Sequence, residues 1–169
     1  KSWSIDELLK KFALTLFNEE SRFHLEKLKN IDLKEFNQLR QKLRIVLKET
    51  ADNLKVSGKE FNQQLQSNGL EAGHFAGGAN GVAGFFKKIS MGKFDFPTTT
   101  VIKNIEADKW HGSKAKANEK AAIDGLTPQI LERYDQALEQ IRSLNYYEIV
   151  FNQIYGVALL DEMQRIQRE

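Results

Sequence analysis

Cysteine is absent from the chain, and only two prolines occur among its 169 residues. The absence of cysteine excludes disulfide scaffolds, thiolate metal sites, iron–sulfur clusters and cysteine nucleophiles. The scarcity of proline argues against a turn-rich all-β fold and against a disordered chain. The sequence also lacks any apolar run of about 18 residues or more, so it predicts no transmembrane segment.

The chain is nearly balanced in charge, with 25 Lys and Arg against 23 Asp and Glu and a formal net charge of +2. This balance argues against a dedicated nucleic-acid-binding protein, so we expect no nucleic-acid partner. The length suits one soluble domain or two small ones. The chain begins Lys1-Ser2-Trp3 without a signal peptide, which we interpret as a processed or trimmed start that leaves the compartment unknown.

Apolar residues recur at helical spacing over four segments, and no segment shows the sustained apolar–polar alternation of a strand. Gly69 is placed to end the second helix, and Gly125 is placed to end the third. Thr127 is placed to cap the fourth helix, with Pro128 at its first position. The predicted helices span about 4–29, 32–68, 99–124 and 128–168.

Seven of the eleven glycines lie within the segment 69–98, whereas the flanking segments are poor in glycine and rich in charge. The short connections at 30–32 and 124–127 make successive helices antiparallel neighbours, which leaves 69–98 as the single long crossover. We therefore predict an all-α protein with a single domain over 1–169. Its expected architecture is an up-down four-helix bundle of ferritin-like topology, with a Gly/Phe-rich crossover between the second and third helices.

Five of the eleven phenylalanines lie in this crossover, and its stretch 81–89 predicts a short amphipathic helix. Three interpretations stay open: a plug that fills the end of the bundle, which packing favours, a lid over a pocket, or a membrane-surface contact. Three lysines contribute only about 1 kcal/mol each near an anionic membrane, so a membrane surface is not favoured. The candidate ligand or partner contacts are Phe75, Phe85, Phe86, Lys87, Lys88, Phe94 and Phe96.

A few charged residues interrupt the apolar stripes of the predicted helices. Carboxylates that project from several helices into a bundle can hold two metal ions, and oxygen ligands with an imidazole suit iron or manganese. The candidate metal ligands are Glu20, His24, Glu106 and Glu148. The competing interpretation, which we favour, places these groups at the stripe edges, where they face solvent or form pairs along one helix.

Several spacings in the crossover are similar to those of a known group of helical proteins. The sequence Asn-Gly-Val-Ala-Gly at 80–84 is followed by Phe-Phe-Lys-Lys-Ile at 85–89, and Leu-Thr-Pro follows at 126–128. With these features the segment 69–144 resembles a branch of the ferritin-like superfamily, bacterial four-helix-bundle proteins of poorly defined, often stress-associated role.

The resemblance also bears on metal binding. Metal-binding members of that superfamily carry a Glu on two helices and Glu-x-x-His on the other two. Glu20 and Glu106 match the two single positions, but neither Glu49, Glu60 nor Glu148 is followed by a histidine three residues later. The resemblance therefore implies a metal-free relative or one with a nonstandard carboxylate site.

Three functional hypotheses follow from the sequence. The first, which we favour, is a non-catalytic helical bundle that binds a protein partner, another copy of itself, or an apolar ligand under the crossover, with no cofactor. The second is a ferritin-like iron or manganese protein with a nonstandard carboxylate site. The third is a membrane-surface or pore-forming helical protein. The nucleotide-binding, hydrolase and zinc-protease motifs that would indicate an enzyme are missing.

Overall fold

The computed structural model describes residues 33–166, and the predicted first helix at about 4–29 lies outside them. Within the described residues the chain forms four α-helices and no strand, which confirms the all-α prediction for this part of the chain. None of these helices combines the length and the apolar content that crossing a lipid bilayer requires. The helices are α1 (Leu33–Ser67), α2 (Val82–Ser90), α3 (Thr99–Glu106) and α4 (Ala117–Ile166), and two 3-10 turns lie at Ala72–His74 and Gly78–Asn80.

The chain divides into two compact units. Of the described residues, 33–48 and 145–166 belong to the first unit, and Glu49–Leu144 form the second. Both α1 and α4 therefore contribute residues to each unit. Within the first unit the guanidinium of Arg44 lies 5.9 Å from the centroid of the Phe151 ring, a cation–π contact between α1 and α4.

α1 coincides closely with the predicted helix 32–68. The hydrogen bonds at its carboxyl end explain why the helix stops where the sequence predicts. The backbone N–H of Leu70 donates to the carbonyl of Leu65, and the N–H of Gly69 donates to that of Gln66. Gly69 has a positive φ of 66°. These features define a Schellman motif, in which a glycine in the left-handed region satisfies the last carbonyls of a helix. Leu65 and Leu70 are both buried, which adds the apolar contact typical of this motif.

α2 packs closely against α1 in the second unit. The ring of Phe86 stacks on that of Phe61 with centroids 4.3 Å apart, and both side chains are almost wholly buried. Gly58 lies one turn before Phe61 on α1 and faces the backbone of α2. A Cβ at Gly58 would lie 2.6 Å from the backbone nitrogen of Ser90 and 2.9 Å from the carbonyl oxygen of Phe86. Only glycine therefore permits this approach of the two helices.

The predicted helix 99–124 is wrong, because the helix that begins there, α3, has only eight residues. The residues that follow α3 do not continue the helix. Their backbone instead forms hydrogen bonds with the chain near the first 3-10 turn. The N–H of Ala76 donates to the carbonyl of Trp110 at 2.8 Å, and the N–H of Gly112 donates to that of His74 at 2.7 Å. These non-local hydrogen bonds satisfy the backbone without a helix, and so they override the helical preference of the local sequence.

The predicted boundary between helices 99–124 and 128–168 is also wrong. α4 begins at Ala117 and runs without interruption through Gly125 and Pro128. Proline in a helix interior removes one backbone hydrogen bond and usually breaks the helix.

Packing on both sides of the proline explains why α4 continues. Ile123 and Ile130 are almost wholly buried, and they lie seven residues apart on one face of the helix. Thr127 does not act as a cap, because its hydroxyl donates back to the carbonyl of Ile123 at 2.9 Å. Gly125 lies on the exposed side, where a Cβ would meet no atom within 4 Å.

Gly58 of α1 and Gly125 of α4 make a matched pair of helical glycines for testing the close approach of α2. We expect Gly58→Ala to lower the free energy of unfolding by about 1–3 kcal/mol, because the added methyl collides with the α2 backbone. Gly125→Ala should raise it by up to about 1 kcal/mol, because alanine favours a helix and the site is open. Urea denaturation followed by circular dichroism measures both changes. A Gly58→Ala variant as stable as the wild type would contradict the close approach.

Candidate functional site

Glycines position α2 at the centre of the candidate site. A Cβ at Gly84 would overlap the carbonyl oxygen of Ala79, and one at Gly81 would overlap that of Ala76. The second 3-10 turn therefore lies directly against the first turn of α2. This close packing explains why the Gly-rich sequence precedes the Phe-Phe pair: the glycines let the chain fold back on the helix that it leads into.

Three of the candidate contact residues are core residues. Phe86 is 0% exposed, Phe85 is 6% exposed and Phe75 is 1% exposed. The ring of Phe85 meets that of Tyr134 on α4 edge-on, with centroids 5.6 Å apart, and also meets that of Phe86 at 5.3 Å. The aromatic side chains of α2 thus join α1 to α4 within the second unit, and they are not available to a partner on its surface.

The other candidate contacts lie at or near the surface. Lys87 and Lys88 are exposed on the opposite side of α2, Phe94 is half-buried and Phe96 is 51% exposed. Two further exposed apolar side chains, Met91 and Ile102, were not among the candidates. We call residues 87–103 the basic apolar segment.

The basic apolar segment carries a strong local excess of positive charge. Its charged residues are Lys87, Lys88, Lys93 and Lys103 against Asp95 alone. A fifth lysine, Lys55 of α1, lies beside it, because a Cβ at Gly92 would lie 2.9 Å from the Cε atom of Lys55. The segment is therefore much more basic than the chain as a whole, whose net charge is +2.

Two of the four candidate metal ligands, Glu106 and Glu148, lie in the described part of the chain, so the predicted metal site stays a prediction. Glu20 and His24 lie outside the described residues, whereas Glu106 and Glu148 are exposed and belong to different units. Among residues 33–166 no group of three or more His, Asp or Glu side chains is arranged to hold a metal ion.

One Glu-x-x-His does occur in the sequence, at Glu71 and His74, and sequence reasoning overlooked it. It belongs to the first 3-10 turn rather than to a long helix. The backbone N–H of Glu71 donates to the Nδ1 atom of His74 at 3.2 Å, which fixes the turn. The other described histidine, His111, has its Nε2 atom 2.6 Å from Asp124 Oδ1. The Nε2 atom of His74 also lies 3.9 Å from Glu71 Oε1, so each of the two histidines in the described part of the chain lies beside a carboxylate of its own.

A polar groove of about 380 Å³ lies between α1 and α4 in the second unit. On α1 its walls are Asn53, Val56, Ser57 and Glu60. On α4 its walls are Gln129, Glu132, Arg133, Gln136 and Gln140. We call this feature the amide groove. Sequence reasoning missed it, because polar residues at helical spacing look the same whether they line a groove or cover an ordinary solvated face.

Arg133 makes three hydrogen bonds at the wall of the amide groove. Its Nη1 atom donates to the carbonyl oxygen of Ser57 at 3.1 Å, to the Ser57 hydroxyl at 3.2 Å and to Glu60 Oε2 at 3.2 Å. The guanidinium is half-buried, whereas the Glu60 side chain is mostly exposed. Three acceptors on one nitrogen hold the planar group in a defined orientation at the wall of the groove.

Comparisons with known proteins leave the site to be argued from its geometry. No protein-family model, no curated protein and no solved structure matches the chain.

The pKa of Tyr134 is raised above its usual value of 10.0, first by burial and then by the negative charges of Asp135 and Glu106. Below pH 10 the tyrosine is neutral in both the folded and the unfolded chain, so its stabilising contribution is fully present. As pH rises, the unfolded chain releases this proton first, and that contribution is lost through the folded pKa.

We therefore expect the stability difference between the wild type and Tyr134→Phe to change with alkaline pH. The wild type should lose stability relative to the variant between about pH 8 and about pH 11, because phenylalanine has no proton to release. Urea denaturation of both proteins at the two pH values measures this change. A difference that stays constant would contradict the raised pKa.

Truncating two phenylalanines of the candidate set to alanine should change the free energy of unfolding by very different amounts. We expect Phe86→Ala to cost about 3–5 kcal/mol of unfolding free energy, because it opens a cavity in the core beside Phe61. Phe96→Ala should change it by no more than about 0.5 kcal/mol, because half of that ring already faces water. Thermal and urea denaturation check both values. A large loss of stability in Phe96→Ala would show that this ring is also a core residue.

Proposed function

We propose that the protein is a non-catalytic interaction protein and that the basic apolar segment of the second unit docks a protein partner. The observation that carries this proposal is the exposure of large apolar side chains among lysines. Met91 is 64% exposed, Phe96 is 51% exposed and Ile102 is 38% exposed. Large apolar side chains that are exposed within one short segment, among lysines, favour an interaction site.

The basic apolar segment is anchored at both ends, which supports a docking role. At its start the N–H of Lys93 donates to the carbonyl of Lys88, and Gly92 adopts a φ of 82°, as in a Schellman motif. At its end the Thr98 hydroxyl accepts from the N–H of Val101 and so caps α3. Because the chain is ordered before a partner arrives, binding costs less conformational entropy.

The charge of the segment defines the chemistry of the partner. Four lysines against one aspartate, with Lys55 beside them, favour a partner segment in which acidic residues alternate with apolar ones. Complementary charge raises the association rate and selects among partners, and the apolar side chains supply the buried area. A membrane surface is a weaker match, because the most apolar side chains, Phe85 and Phe86, already lie in the core.

The test uses a synthetic amphipathic peptide of Glu, Leu and Phe, labelled for fluorescence polarisation. We expect the wild type to bind it, and both Met91→Ser/Phe96→Ser and Lys87→Glu/Lys88→Glu to bind at least tenfold more weakly, because each removes one component of the surface. A matched control is Ile45→Ser/Ile149→Ser, which removes comparably exposed apolar side chains in the first unit. This control should bind as the wild type does.

Two outcomes would overturn the proposed docking surface. One is equal affinity of all variants for the peptide. The other is a chain that ignores the peptide but binds vesicles of phosphatidylcholine and phosphatidylglycerol in a manner that depends on Met91 and Phe96, which would identify a membrane contact instead.

A further inference from the structure

We propose that the amide groove binds an extended peptide segment of a second protein through that segment's backbone. The site lies on α1 and α4 of the second unit and shares no residue with the basic apolar segment. It would add a second, independent mode of binding to the protein.

The spacing of the groove residues on α4 carries the first part of the argument. Gln129, Arg133, Gln136 and Gln140 follow one another at intervals of four, three and four residues. Since a helix rises about 1.5 Å per residue, these side chains lie roughly 4.5–6 Å apart along the groove. An extended peptide repeats every two residues, or about 6.6 Å. The row from Gln129 to Gln140 therefore spans about 16.5 Å, which is the length of about five residues of an extended peptide.

The chemistry of the side chains matches a peptide backbone. Each carboxamide of Asn53, Gln136 and Gln140 carries both donors and an acceptor, which complement the N–H and C=O groups of a peptide unit. The Gln136 amide donates one hydrogen to Glu132 Oε1 at 3.4 Å, which leaves its second hydrogen and its oxygen for a peptide. Arg133 makes its hydrogen bonds to the wall of the groove through Nη1 alone. Among the described residues the structure shows no acceptor for its Nη2 and Nε atoms, so these remain to donate to a peptide carbonyl.

The shape and composition of the groove favour a peptide over a small molecule. Small-molecule sites are mostly apolar pockets that enclose the ligand. Val56 is the one apolar side chain among the nine residues that line this groove; the other eight are polar or charged, and none is aromatic. Val56 is itself 52% exposed, so the groove is a shallow channel rather than an enclosure.

The charge of the groove further restricts the peptide. Glu60 and Glu132 face a single cation, Arg133, which leaves one excess negative charge among the lining residues. A peptide that carries lysine is therefore preferred over an acidic one. This preference is opposite in sign to that of the basic apolar segment, so the two sites are distinguishable by their partners.

The test uses a peptide of alternating Thr and Lys, about ten residues long, titrated into the isotope-labelled chain. We expect the side-chain amide resonances of Gln136 and Gln140 to shift and to saturate. The same peptide methylated on alternate backbone nitrogens keeps its side chains and charge but loses donors, and it should bind at least tenfold more weakly. A Thr-Glu peptide should also bind more weakly than the Thr-Lys peptide.

Variants locate the site. Gln136→Met/Gln140→Met keeps the side-chain length, removes the carboxamides and should weaken binding at least tenfold. Gln63→Met removes an exposed carboxamide of α1 that does not line the groove, and it should leave binding unchanged. Equal affinity for the methylated peptide, no binding of the Thr-Lys peptide, or amide shifts caused by maltotriose instead would each overturn the proposal.

Discussion

The contact between α1 and α2 at Gly58 is the constraint on which the arrangement of the second unit depends. Because Gly58 has no side chain, the backbone of α2 comes close enough for Phe86 to stack on Phe61, one turn further along α1. Phe85 then reaches Tyr134 on α4. One close backbone approach therefore places two aromatic rings between three helices, and these rings form much of the core.

The same contact decides which side chains of α2 and its continuation face water. With Phe85 and Phe86 directed into the core, helical geometry directs Lys87 and Lys88 outward. The Schellman motif at Gly92 then reverses the chain, and Met91 and Phe96 remain exposed. Exposing these apolar side chains to water costs free energy, and their exposure follows from the way α2 packs into the core. This cost is the reason for assigning that segment a partner.

Sequence reasoning succeeded where the signals were local and failed where packing overrode them. α1 and α2 follow from apolar periodicity and from Gly69 and the glycines before α2. At Pro128 the local signals for a helix start are as clear, yet the buried residues Ile123 and Ile130 carry α4 through it. Composition also identified the Phe-rich segment, but it could not tell that Phe86 lies inside and Phe96 outside, since that depends on the contact at Gly58.

The two proposed sites of the second unit recognise partners by different physics. At the basic apolar segment the partner's side chains matter, because Met91 and Phe96 need apolar contacts and the lysines need carboxylates. At the amide groove the backbone matters, because carboxamides such as Gln136 pair with any peptide unit that is extended. A side-chain site selects a sequence, whereas a backbone site selects a conformation. Since their charge preferences are opposite, a single short segment satisfies only one of them, and so the two sites favour two different segments, from one partner or from two.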